Sequence, residues 1–223
     1  MTTKTTTILT LLLIYLSIPH AQPPISFEAF SGCHLNIPTP LTIKQEGEEV
    51  IKVKWARYES ACWSGSPYFA LRAGLWKNGK AWELELVHEK IILKNKPKDV
   101  QHFQVSHGYN LILVNRAWRL HEYYDLTCRV GAGIILAHPE TIVRNKKRGY
   151  GEYFPKGDYI SGPTAQVAVG KRFRFWKGLF GVLEAKFTAS YAFYVPIADG
   201  YAVVPNLAIH GLFGIGYELG SKR

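Results

Sequence analysis

One pattern limits what this chain can become: from residue 48 onward, apolar side chains fall on every second position in eight separate runs. In residues 206–219 one face reads Leu207, Ile209, Gly211, Phe213, Ile215, Tyr217 and Leu219. The other reads Ala208, His210, Leu212, Gly214, Gly216 and Glu218. A period of two belongs to a β-strand with unlike faces. The remaining runs cover residues 48–57, 68–77, 80–93, 101–114, 124–137, 164–175 and 179–195. Asn78-Gly79, between the second and third, is the strongest short hairpin signal. The alternation fits two settings: a soluble sandwich, or a closed barrel with its apolar face toward lipid.

The connections favour the barrel. Residues 78–79 and 176–178 are tight, whereas 58–67 and 138–163 are long. Such alternation gathers short turns at one end and long loops at the other. Trp76, Trp82, Trp118 and Trp176 all fall near the short-turn end, where amphipathic rings suit a membrane–water interface. Residues 1–21, with Lys4 and an apolar run over 8–18 stopped by Pro19, read as a secretory signal cleaved after Ala21. Residues 22–47 carry Pro23, Pro24, Pro38 and Pro40 and read as an irregular arm. The barrel then occupies 48–219, with a tail at 220–223. An oxidising compartment permits a Cys33–Cys62 bridge and leaves Cys128 free.

Eight runs, an export signal and the closing Gly214-Ile215-Gly216-Tyr217-Glu218-Leu219 together resemble the small eight-stranded outer-membrane β-barrel proteins of Gram-negative bacteria. The resemblance spans residues 48–219. It implies an all-β, antiparallel, up-and-down transmembrane barrel acting as a structural or lipopolysaccharide-contacting protein of the cell envelope. A lipid A deacylase family in that class carries His-x-Ser-Asn on a late strand. Here His210-Gly211-Leu212 has no serine, so that activity does not carry over.

Three residue groups are candidates for function. Parity places Arg72, Glu83, Glu85, Arg129, Arg172, Glu184, Lys186, His210 and Glu218 in the lumen. Counting back from Asn78-Gly79 sets Arg72 opposite Glu85 and Gly74 opposite Glu83. A lumen of eight strands is just wide enough for side chains, which implies an ion-paired plug and no open pore. Lys52 is expected to approach Glu218 where the barrel closes, and Glu83, Glu85 and His210 form an alternative acid–base group.

His88, His107 and Cys128 lie on apolar faces, where polar groups are out of place. A histidine base there could serve a lipid-modifying acyl hydrolase acting on lipid A. Gly108 instead allows a bulge beside His107. The long loops carry Lys94, Lys96, Lys98, Arg144, Lys146, Lys147 and Arg148, and the net charge is +10. That balance suits an anionic lipid or lipopolysaccharide partner. An exported lipocalin-like small-ligand binder, apolar face inward, is the remaining alternative. No cofactor, metal or nucleic acid is expected, and protein partners stay unspecified.

Overall fold

The computed structural model describes residues 25–63, 67–121, 124–151 and 156–220, with the backbone alone for residues 106 and 107. The signal segment, its cleavage site and residues 221–223 lie outside them. Strands fill most of the described chain: β1 (Ile25–Ile37), β2 (Thr39–Gln45), β3 (Ile51–Ala56), β4 (Tyr58–Glu59), β5 (Phe69–Lys77) and β6 (Lys80–Leu93) come first. They are followed by β7 (Val100–His121), β8 (Leu126–Val143), β9 (Lys146–Arg148), β10 (Tyr159–Arg174), β11 (Leu179–Ile197) and β12 (Gly200–Leu219).

Eight of these close a ring, all neighbours antiparallel, in the order β1-β5-β6-β7-β8-β10-β11-β12 and back to β1. The shortest ring strand, β5, has 9 residues, which meets the roughly 9–11 that a tilted strand needs to cross a bilayer. β7 has 22 residues and β12 has 20, so the wall rises well beyond that thickness on the long-loop side. β2 pairs with the start of β12 and with β3, and β4 and β9 pair with β6 and β8.

The first strand differs from expectation. Residues 25–37, read above as part of an irregular arm, form β1 and close the ring, with Ile25 opposite both Leu219 and Leu75. Residues 48–57 instead supply β3, in a hairpin with β2 outside the ring. The prolines bracket β1 and do not interrupt it. Lys52 therefore sits exposed on the long-loop side, while Glu218 bonds Arg174 at the short-turn end.

Polarity inverts along the barrel axis. In the short-turn half the exterior is apolar: Phe27, Leu71, Leu84, Val167, Leu183, Phe213 and Ile215 stand about half exposed. The interior there is charged. A lipid-facing apolar band around a polar centre is the arrangement of a transmembrane barrel. In the long-loop half the relation reverses. Leu41, Ile43, Ile91, Phe103, Val105, Val195 and Val204 fill the centre, and Lys44, Lys52, Lys54 and Lys98 face out.

β7 crosses this boundary. Phe103, Val105, Tyr109, Leu111 and Leu113, an apolar face that the sequence alone would turn to lipid, point inward and are buried. Ile112 and Val114 face out instead. Three residues, 106–108, separate Val105 from Tyr109, where each neighbouring strand has one. Gly108, at φ +147°, lets the backbone make this bulge.

Candidate functional site

The register counted from the hairpin holds: Arg72 is opposite Glu85, Gly74 opposite Glu83 and Lys77 opposite Lys80. It gathers the lower lumen around Arg72. This guanidinium bonds Glu28 at 2.7 Å, Glu85 at 2.8 Å and Glu184 at 2.7 Å. Arg129 binds Glu83 at 3.0 Å and also Glu184, Lys186 binds Glu85, and Arg172 binds Glu28. Glu85 further accepts from Asn115 and Gln166. Four carboxylates thus meet four cations, each at most 4% exposed. Sequence reasoning missed Glu28, because it lies on the unrecognised β1.

Beneath this network a second cluster closes the short-turn end. Arg174 bonds Asp125 at 2.6 Å and Glu218 at 2.7 Å, with Arg119 3.3 Å from Asp125. Trp76 joins it from inside and donates to Ser26 Oγ at 2.9 Å, under the Arg172 guanidinium. Of the four tryptophans assigned to an interfacial belt, Trp82, Trp118 and Trp176 point outward and Trp76 does not.

His210 lies inside, but its bonds go to Tyr68 and Thr188, whereas Glu83 and Glu85 are taken by Arg129, Arg72 and Lys186, so among the described residues no hydrogen bond or ion pair joins the three as an acid–base group. The surroundings of His210 form a separate pocket above Lys186. His34 and His210 are a cross-strand pair with rings 5.5 Å apart. His210 Nδ1 meets the Tyr68 hydroxyl at 3.0 Å, and Nε2 lies 2.9 Å from Thr188 Oγ1 and 3.7 Å from Glu89 Oε2. β5 ends at Phe69. Above it, His34 Nε2 reaches across to the Lys90 carbonyl at 3.2 Å. The Cys33–Cys62 disulfide ties the loop after β4 over this gap.

The lipid-face trio is not brought together. His88 stacks on Phe69 at 4.9 Å and bonds Asn110 at 2.8 Å. Cys128 pairs with Trp118, which is level with Lys80. That row is eight residues below His88 on β6, about 26 Å along a strand. Tyr109, one of the β7 residues that the sequence would turn to lipid, points inward and is buried. The backbone of His107 runs through the bulge, and its side chain is outside the described residues.

The basic candidates all sit at the long-loop end. Lys94 pairs with Glu59 at 3.2 Å, and Lys96 donates to the Gln101 carbonyl. Arg144 bonds Gln45 and the Glu49 carbonyl, and Arg148 bonds the Tyr159 hydroxyl. The Asp199 hydrogen bond holds the Lys146 ammonium above the ordinary lysine range. Lys98 and Lys147 are exposed. Lys52 and Lys54 of β3 add two exposed cations that were not among the candidates.

No protein-family model matches the chain, and no curated protein matches it. Solved structures do. Ail, the attachment invasion locus protein of Yersinia pestis, is 12% identical over 89% of this chain and 99% of its own, with a TM-score of 0.42. The outer membrane protein OprG of Pseudomonas aeruginosa is 10% identical over 91% and 98%, TM-score 0.46. The outer membrane protein AlkL is 10% identical over 93% and 95%, TM-score 0.48. The likeness is one of fold, that of an eight-stranded antiparallel β-barrel.

Proposed function

We propose that this chain is an outer-membrane surface protein whose long-loop end contacts lipopolysaccharide phosphates, and whose lumen is a plug with no open pore. The observation that carries this is the axial inversion of polarity. An apolar belt marks the depth of lipid, and the wall above it has a lysine-bearing exterior. Lys52, Lys54, Lys98 and Lys147 are the contacts of choice, because they are exposed at that end. Lys94, Lys96, Arg144, Lys146 and Arg148 are each bonded to a neighbouring group of the protein, Lys94, Lys96 and Lys146 while exposed, so they offer less free charge.

The refolded chain should resist sodium dodecyl sulfate until boiled and sediment with outer membranes. Its binding to purified lipopolysaccharide should weaken steeply with salt, since exposed charges are screened within about 8–10 Å at physiological ionic strength. Reversing Lys98 and Lys147 to Glu should lower both the affinity and its salt dependence. Binding indifferent to salt and to these reversals refutes the phosphate contact. Ion conductance across a planar bilayer refutes the plug.

A further inference from the structure

Glu89 is the acid that the lumen network leaves over. The four carboxylates below it are matched by four cations, but neither Glu89 oxygen has a hydrogen-bond partner among the described residues, and the side chain is fully buried. A buried carboxylate without a partner is costly unless it takes a proton or a cation. Two imidazoles stand beside it. One donor atom from each of His34, Glu89 and His210 lies within 4.8 Å of the others. We infer that His34, Glu89 and His210 form a divalent-metal site of zinc type inside the barrel.

The surrounding hydrogen bonds fit this reading. The Lys90 carbonyl can only accept, so His34 Nε2 carries the hydrogen and Nδ1 keeps its lone pair, and Nδ1 has no partner. A histidine that gives one nitrogen to a carbonyl and keeps the other free is poised as a ligand. At His210 the Tyr68 hydroxyl can take the Nδ1 hydrogen, which leaves the Nε2 lone pair on the side of Glu89; Thr188 Oγ1, 2.9 Å away, now donates to it, and an ion would take the place of that hydrogen bond. Two imidazoles and a carboxylate suit a tetrahedral borderline ion with its fourth position left for water. Bonds of about 2.1 Å put tetrahedral ligand atoms about 3.4 Å apart, so loading draws the three side chains together. Lys186 approaches from below, but its ammonium is met by Glu85 and Glu184. Of the three ligands His34 also lines an outer cleft, with Asn36, Tyr58, Ser60, Cys62 and Trp63, and that is the side from which an ion would approach.

The site depends on the barrel alone and not on lipopolysaccharide contact. The test uses the full chain refolded in detergent, treated with chelator and titrated with Co²⁺ and then Zn²⁺. Folding is followed by heat-modifiable gel mobility. One Co²⁺ per chain should bind with the ligand-field absorption of a four- or five-coordinate ion, and Zn²⁺ should displace it. Glu89→Gln and His34→Gln should each weaken binding by at least about 100-fold, and Tyr68→Phe by about 10- to 100-fold. A His102→Ala, His121→Ala double variant should bind as before. Should one ligand variant fail to fold, the other reads the same site. No cobalt spectrum in the folded wild-type chain overturns the proposal, as does undiminished binding in a folded ligand variant.

Discussion

Arg72→Leu is the sharpest test of the lumen as an ion-paired plug. Arg72 contacts Glu28, Glu85 and Glu184 at 2.7–2.8 Å and lies 3.7 Å from Glu83. Its removal leaves four buried carboxylates with three cations. Breaking a buried pair from one side costs about 3–5 kcal/mol. The lower end applies here, because none of the acids is left bare. Glu28 keeps Arg172, Glu85 keeps Lys186, and Glu83 and Glu184 keep Arg129. The expected loss is about 3 kcal/mol, roughly a 140-fold shift in the folding equilibrium.

Urea unfolding in detergent or lipid, followed by tryptophan fluorescence, reads this directly. With an m-value of about 2 kcal/mol/M the midpoint falls by about 1.5 M and the slope stays unchanged. Glu85→Gln alone should cost about as much. Together the two changes restore balance at three carboxylates and three cations, so the double variant should recover about 2 kcal/mol relative to the sum. A single-variant loss below about 1 kcal/mol, or additivity within about 0.5 kcal/mol, refutes charge pairing as what makes the lumen stable.

The lipid-facing belt predicts depth dependence. Leu183→Arg should cost about 2–4 kcal/mol, whereas Phe193→Arg, ten residues up β11 and near the upper boundary, should cost about 0–1 kcal/mol. Equal costs in the same urea assay would displace the belt. The Cys33–Cys62 bridge closes a loop of sequence separation 29, so Cys33→Ser with Cys62→Ser should lose about 3.5 kcal/mol on chain entropy. A loss that vanishes would mean that the loop after β4 is held by packing alone. In chelator, Glu89→Gln should stabilise the fold by about 1–2 kcal/mol, since it relieves an unsatisfied buried carboxylate. Zinc at a hundred times its dissociation constant should add about 2.7 kcal/mol to the wild-type chain and nothing to the variant.

Seven of the eight ring strands were legible because alternation survives whichever medium each face meets. The Asn-Gly hairpin also fixed the register of β5 against β6 to the residue. β1 was not legible. Its inward face is Ser26, Glu28, Phe30, Gly32 and His34, and its outward face is Phe27, Ala29, Ser31, Cys33 and Leu35. Both faces mix polar and apolar residues, so the period-two signal cancels. The odd face of β7 failed for another reason: periodicity groups residues by face and does not say which face meets lipid. His88 and Cys128 share a face with very different heights, and only strand pairing reveals height. His210 and Glu89 were readable as inward from parity, Glu89 through its step of two from Glu83 and Glu85. Their meeting with His34 required β1 to be known as a ring strand.

The position of the His34–Glu89–His210 pocket follows from the inversion itself. Below it, charges must be paired, because they are buried inside a wall whose outer face is apolar. Above it, the centre closes on aliphatic residues, as in a water-soluble barrel, and needs no charge. A junction between these regimes requires groups that can border either, and imidazole, hydroxyl and a lone carboxylate provide that border. The wall is also incomplete there, because β5 stops at Phe69 and β1 reaches β6 through a side chain. β4 and the disulfide-tethered loop cover the opening from outside. An excess acid beside a covered gap is costly to a purely structural plug, which would be better served by glutamine at residue 89. Its presence beside His34, which also lines a side cleft, favours an ion as the missing partner.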